Sequence, residues 1–141
     1  MYETKTLGKK STKLSITLHS ISKGSLNDLD GYKLPAQVKK SDLFYVTMKF
    51  QNIGPLAMEP GGIFGLINAY NSDGDELETL SLFGSFAKCE GDTPHSLRAG
   101  SSYSDCRVYM APKGQTLATI KFGHYDANYN RTEIKWKAAS S

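Results

Sequence analysis

The 141-residue chain has the length of a single domain, and its 39% hydrophobic and 22% charged residues exclude the disordered and fibrous classes. A formal net charge of +3 is mild, and nucleic-acid binders usually present a denser basic face, so no nucleic-acid partner is expected. The sequence contains no run of about 18 apolar residues, which means that no transmembrane helix is predicted.

The first residues, Met1 to Lys5, lead into a polar stretch rather than the apolar region of a signal peptide. Two alternatives follow. The protein is either cytosolic, or it is a mature form from which an export signal has been removed. Residues 1–12 are polar and are predicted to form a flexible tail or a weak edge strand. A folded domain is expected over residues 13–138.

Apolar and polar residues alternate with a period of two in several segments, the pattern of half-buried strands. The clearest is 42–50, where Phe44, Val46, Met48 and Phe50 share the face expected to meet the core. Further strands are predicted at 13–18, 61–70, 103–111, 117–122 and 132–137, with a strand or a short helical turn in 76–87. About seven short strands separated by turn residues favour an all-β sandwich or barrel.

Turn signatures carry a resemblance to a known family. The first strand motif ends in Lys49-Phe50-Gln51-Asn52-Ile53-Gly54, and a second ends in Ser72-Asp73-Gly74. Leu97-Arg98-Ala99-Gly100 then precedes a strand that closes at Pro112-Lys113-Gly114, although the family usually has proline where Ala99 stands. With these motifs, the chain resembles immunoglobulin-like domains of unknown function that are widespread in Gram-positive bacterial lipoproteins and secreted proteins. A secreted mycobacterial immunoprotective antigen has a similar sandwich.

The resemblance spans residues 13–137. It implies an immunoglobulin-like antiparallel β-sandwich of about seven to nine strands. It also implies export, and it brings no catalytic residues with it. Because such folds host many functions, the resemblance leaves the partner open.

The two cysteines, Cys89 and Cys106, are predicted to form a disulfide. Closing their loop is worth about 3 kcal/mol in the chain-entropy model. Since disulfides persist in oxidising compartments, the bond would favour export. The alternatives are two free thiols, or a zinc site that adds His95 and a fourth ligand.

Other candidate sites are weaker. Asp73, Asp75 and Glu76 offer hard oxygen ligands for Ca²⁺, although a solvated hairpin tip explains the same residues. A set of tyrosines with one asparagine is a candidate surface for a protein or glycan partner, because tyrosine offers a large contact area at low entropic cost. The alternative is ordinary packing between strands. This set is Tyr103, Tyr109, Tyr125, Asn128 and Tyr129.

None of the three histidines, His19, His95 and His124, accompanies a nucleophile motif. The chain is therefore expected not to be an enzyme and to need no cofactor. The leading hypothesis is an exported, non-enzymatic interaction or accessory domain at the cell surface or outside the cell, with a protein or cell-surface partner. The alternatives are a small-ligand or Ca²⁺-binding domain, and a cytoplasmic accessory protein with free thiols.

Overall fold

The computed structural model describes residues 4–9, 12–32, 34, 36–61, 67–80, 88–91, 93–123 and 133–137. These ranges contain eight strands in two antiparallel sheets and two short 3-10 helices. The prediction of an all-β fold built as an antiparallel β-sandwich is confirmed. The strands are β1 Thr4–Lys9, β2 Thr12–Lys23, β3 Ser41–Asn52, β4 Ile67–Asn71, β5 Glu78–Leu80, β6 Ser102–Pro112, β7 Leu117–Gly123 and β8 Glu133–Lys137.

The larger sheet has the strand order β1-β2-β3-β6-β5. Its centre is the long antiparallel pair β3 and β6, which runs from Ser41 opposite Pro112 to Gln51 opposite Ser102. Strand β2 pairs with the other side of β3, and its register shifts between Leu18 and Ser20. The edge strand β1 pairs with β2, so the structure places Thr4–Lys9 in the sheet, where the sequence had suggested a flexible tail or a weak edge strand.

The smaller sheet has the order β4-β7-β8, and it packs its inner face on the larger sheet. The predicted inward residues of β3, from Phe44 to Phe50, do lie in this main core. Alternation holds in β4 as well, where Ile67 and Ala69 are buried and Tyr70 is partly exposed. Over its described length, β4 therefore buries one face in the core and leaves the other partly exposed. The main core is completed from the small sheet by Ile67, Ala69, Leu117, Ile120, Phe122 and Trp136.

The outer face of the larger sheet is also covered, by the connection between β2 and β3. This connection carries two 3-10 helices, Leu26–Leu29 and Ala36–Lys40, which bury Leu29 and Val38 against the sheet. The resulting outer cluster consists of Leu29, Val38, Leu43, Tyr45, Val108 and Met110. The connection between β2 and β3 therefore covers the outer face of the larger sheet with two short helices.

Tyr45 shows how tightly the connection lies on the sheet. A Cβ atom added to Gly24 would fall within 2.7 Å of the Tyr45 ring, so only glycine lets the backbone approach the ring this closely. The Tyr45 hydroxyl donates to the carboxylate of Asp28 at 2.7 Å, and Asp28 belongs to the first 3-10 helix. The side chain is thus buried at its ring and anchored at its tip.

Candidate functional site

The motifs behind the family resemblance meet at Asn52, which is 1% exposed at the end of β3. Its side-chain amide donates to the carbonyls of Leu56 at 2.7 Å and Leu97 at 2.9 Å. Its Oδ1 accepts the backbone N–H of Gly54, and its carbonyl accepts that of Gly100. Asn52 therefore joins the turn after β3 to the turn before β6, two segments far apart in the sequence.

The second motif is organised around Asn71, at the end of β4. Its Oδ1 accepts the backbone N–H groups of Asp73 at 3.0 Å and Asp75 at 2.9 Å, and its amide donates to the side chain of Gln115. Gly74 has a φ of +88°, the left-handed conformation that a glycine adopts without strain. The motif residues around Asn52 and Asn71 are thus structural, since their polar groups are used to close turns.

Cys89 and Cys106 are joined by a disulfide in the structure, with their Cα atoms 5.1 Å apart and a sequence separation of 17. Both side chains are partly buried and pack against the outer cluster. The bond fastens the segment before β6 to the outer face of the larger sheet, next to the hydrogen bond from Thr93 to the carboxylate of Asp105. A zinc site built from these cysteines is excluded here, because bridged sulfurs are not available as thiolate ligands.

The interaction between Tyr45 and Asp28 perturbs both groups. The hydrogen bond from Tyr45, followed by that from the Ser25 backbone, lowers the pKa of Asp28 below its ordinary value of 3.8. Burial, together with the Asp28 carboxylate, raises the pKa of Tyr45. The shifts are consistent with a structural hydrogen bond that holds the 3-10 helix on the sheet, and neither group is placed as an acid–base catalyst.

The lowered pKa of Asp28 predicts a dependence of stability on pH. A carboxylate with a depressed pKa in the folded chain stabilises it above the unfolded value of 3.8, and the contribution is lost as the pH falls through the folded pKa. Urea denaturation midpoints at about pH 5 and about pH 2.5 should therefore differ less in Tyr45→Phe than in the natural chain. An equal difference in both proteins would mean that this hydrogen bond does not set the pKa of Asp28.

The predicted tyrosine surface does not form as expected. Tyr109 is fully buried in the main core, where its hydroxyl donates to the carbonyl of Ile67 at 3.0 Å. Tyr103 is partly buried and stacks on Phe50, with ring centroids 5.1 Å apart. The face of β6 that carries both tyrosines is turned toward the core, because the opposite face of this strand belongs to the outer cluster.

Burial of the two tyrosine side chains also shifts their pKa values. It raises the pKa of Tyr109, and it raises the pKa of Tyr103 to about 12, with a further contribution from Asp105. Both tyrosines therefore pack between strands, which was the alternative explanation for them. The other members of the predicted surface, Tyr125, Asn128 and Tyr129, lie outside the described residues.

The candidate Ca²⁺ ligands Asp73, Asp75 and Glu76 are exposed at the hairpin that follows β4. Across the described ranges, no three His, Cys, Asp or Glu side chains converge in a way that would hold a metal ion. His19 is exposed at the register shift in β2, and His95 is exposed in the segment before Leu97. His124 lies outside the described residues.

Two open clefts flank the hairpin after β4. One, of about 370 Å³, lies between the second 3-10 helix and the hairpin, where the Gln37 amide donates to Glu78 at 2.7 Å. The other, of about 380 Å³, lies on the outer face of the smaller sheet and is lined by Tyr70, Lys121, Lys135 and Lys137. Sequence reasoning missed this second surface, because its residues come from three strands with no common motif.

Comparisons with known proteins address the fold. The chain is similar to a candidate lipoprotein, ycdA, of Bacillus subtilis, with a TM-score of 0.58 and 12% identity over 94% of this chain. The match covers 38% of the ycdA chain, so this chain spans well under half of that protein's length. An uncharacterized β-sandwich protein of Clostridium difficile aligns with a TM-score of 0.49 and 13% identity, over 94% of this chain and 89% of that one.

No protein-family model matches the sequence. No curated protein matches it either. No helix among the described residues is long enough and apolar enough to cross a membrane. At 12% identity the likeness to ycdA establishes a shared sandwich fold, and this is what the comparisons add to the observed geometry.

Proposed function

We propose that this chain is an exported, non-enzymatic interaction domain of a secreted or lipid-anchored bacterial protein. The observation that carries the proposal is the disulfide between Cys89 and Cys106. Disulfides form and persist in oxidising compartments and are rare in the reducing cytosol. The bond joins Cys89, which lies outside the strands, to Cys106 within β6, so it attaches the segment before β6 to the larger sheet.

The comparison with ycdA supports the lipid-anchored form of this proposal. That protein is described as a candidate lipoprotein, and its fold is similar to that of this chain. A lipoprotein would present the sandwich outside the cytoplasmic membrane, where a disulfide is stable. The match covers 38% of the ycdA chain, so the comparison concerns one part of that protein.

Binding, rather than catalysis, is supported by how the perturbed polar groups are used. The Tyr45 hydroxyl holds a 3-10 helix on the sheet, and the Tyr109 hydroxyl joins the two sheets. Catalytic groups usually have perturbed pKa values and converge in a cleft. Among the described residues, these groups with shifted pKa values serve packing, which favours a role for the exposed surfaces in binding.

The test is a thiol titration of the denatured protein, isolated from its native host without reductant, combined with fractionation of the host cells. We expect no free thiol in the monomer and recovery of the protein in the envelope or the medium. A reduced sample provides the control and should give both thiols. Two free thiols together with recovery in the cytosol would overturn the proposal and favour a cytoplasmic accessory protein.

A further inference from the structure

The outer face of the smaller sheet carries three lysines from two adjacent strands. Lys121 of β7 lies directly opposite Lys135 of β8, and Lys137 lies opposite Thr119. Between the two β8 lysines, Trp136 points into the main core, while Lys135 and Lys137 are exposed. Lys121, Lys135 and Lys137 are called the lysine face below.

Like charges placed directly opposite on neighbouring strands destabilise a sheet. In the described part of the chain, no ion pair to a carboxylate is found for any of these lysines, and Lys121 lies directly opposite Lys135. An arrangement of this kind is relieved by an anion bound from solution. The unfavourable pairing is thus an observation in favour of a ligand.

Tyr70 of β4 completes the face. The Nζ atom of Lys121 lies 4.9 Å from the centre of the Tyr70 ring, a cation–π contact that restrains the ammonium group. Restraining a lysine before binding lowers the entropy lost when an anion is bound. The cleft of about 380 Å³ beside these residues is open to solvent along the sheet. Tyr70 therefore acts as a positioning residue for Lys121.

The spacing of the lysines points to a chain of charges rather than to one small anion. Side chains two residues apart on a strand are about 6.6 Å apart, and side chains directly opposite are about 5 Å apart. We infer that the lysine face binds a linear anionic glycan, a polymer with about one carboxylate or phosphate per sugar, at the cell surface. This inference deepens the proposed function and rests on it.

Other polyanions fit less well. Binding to a membrane surface usually adds inserted apolar side chains, and the large apolar residues exposed in the described ranges, Ile53 and Leu56, follow β3. Nucleic-acid interfaces are much more positively charged than a face of three lysines. The modest charge of the face, and the place of the exposed apolar residues Ile53 and Leu56 in the turn after β3 of the other sheet, therefore favour a glycan.

The experiment measures binding of polygalacturonate, a linear glycan with carboxylate groups, to the natural chain and to two double variants. Lys135→Gln/Lys137→Gln removes two charges from the lysine face, and Lys13→Gln/Lys49→Gln removes two exposed charges from the larger sheet. We expect about tenfold weaker binding for the first variant and less than about twofold for the second. Equal weakening by both variants would overturn the inference, since net charge alone would then explain binding.

Neutral dextran, double-stranded DNA and phosphatidylglycerol vesicles are titrated in parallel. Weak or absent binding to all three supports an anionic glycan as the ligand. Binding to DNA or vesicles at least as tight as to polygalacturonate would overturn that assignment in favour of a nucleic acid or a membrane. Unchanged melting temperatures of the variants establish that the differences arise at the surface.

The role of Tyr70 is tested by a pair of substitutions. Tyr70→Leu removes the aromatic ring and should weaken polygalacturonate binding several-fold, whereas Tyr70→Phe keeps the ring and should bind as the natural chain does. Equal loss in both variants would overturn the positioning role.

Failure of the site and failure of the proposed function are distinguishable. A chain that has bridged cysteines and is recovered outside the cytoplasm, but binds polygalacturonate equally with and without Lys135→Gln/Lys137→Gln, retains the proposed function and loses the lysine-face inference. Free thiols and a cytosolic location would instead remove the proposed function, whatever the polymer titration shows.

Discussion

Replacing both Cys89 and Cys106 by serine is expected to lower the free energy of unfolding by about 3 kcal/mol. The bond closes a loop across 17 residues, and without it the unfolded chain gains the conformational freedom that the loop had lost. The two sulfurs also pack against the outer cluster, so the segment before β6 loses an attachment to the sheet. Urea denaturation under oxidising conditions measures the difference.

Reductant provides the control for this prediction. It should destabilise the natural chain by a similar amount and leave the Cys89→Ser/Cys106→Ser variant unchanged. Limited proteolysis should also cleave the variant earlier within residues 88–97, because opening of this segment no longer has to break a covalent bond. A loss below about 1 kcal/mol would contradict the prediction and indicate that the disulfide does little for the fold.

Asn52→Ala should be comparably severe, with a loss of about 3 kcal/mol. The substitution leaves the carbonyls of Leu56 and Leu97 and the N–H of Gly54 without the partners that the buried side chain provides. A buried polar group has given up its hydrogen bonds to water, so without a protein partner it destabilises the folded state. The urea concentration at the midpoint of unfolding should fall, while the m-value, the slope of the unfolding free energy against urea concentration, should stay unchanged.

The neighbouring residue supplies a matched control. Gln51 is exposed, and its amide makes a single hydrogen bond of 3.3 Å to the carbonyl of Gly100. Gln51→Ala should cost less than about 0.5 kcal/mol, because water replaces that bond. If Asn52→Ala is as mild as Gln51→Ala, Asn52 does not hold the two turns together.

The residues behind the family resemblance close turns and connect strands, which is why the resemblance indicates a fold and does not indicate an activity. Asn52 and Gly54 of the first motif form a turn, and the same asparagine accepts the N–H of Gly100 from the third motif. Pro112-Lys113-Gly114 closes β6, and the N–H of Gly114 donates to Asp42 at the start of β3. A sequence that keeps these residues keeps the connections of the sandwich, whatever its outer surfaces bind.

The sequence by itself determined much of the sandwich. A period of two marks the strands and assigns residues to faces, because successive side chains of a strand point to opposite sides. For β3 this placed Phe44, Val46, Met48 and Phe50 together, and they lie in the main core. The turn residues separated the strands in the same way, since the backbone conformations they adopt are local properties.

Only the tertiary structure decided which strand faces are covered and by what. Alternation put Tyr103 and Tyr109 on one face of β6, yet that face meets the small sheet, through a hydrogen bond from Tyr109 to a residue 42 positions away in the sequence. Tyr45 lies on the opposite face of β3, where Leu29 and Val38 of the connection between β2 and β3 pack in the same outer cluster. The lysine face is also a product of strand pairing, which brings Tyr70, Lys121 and Lys135 together from three separate segments. Pairing between distant strands depends on the packing of the whole sandwich, and local sequence patterns do not encode it.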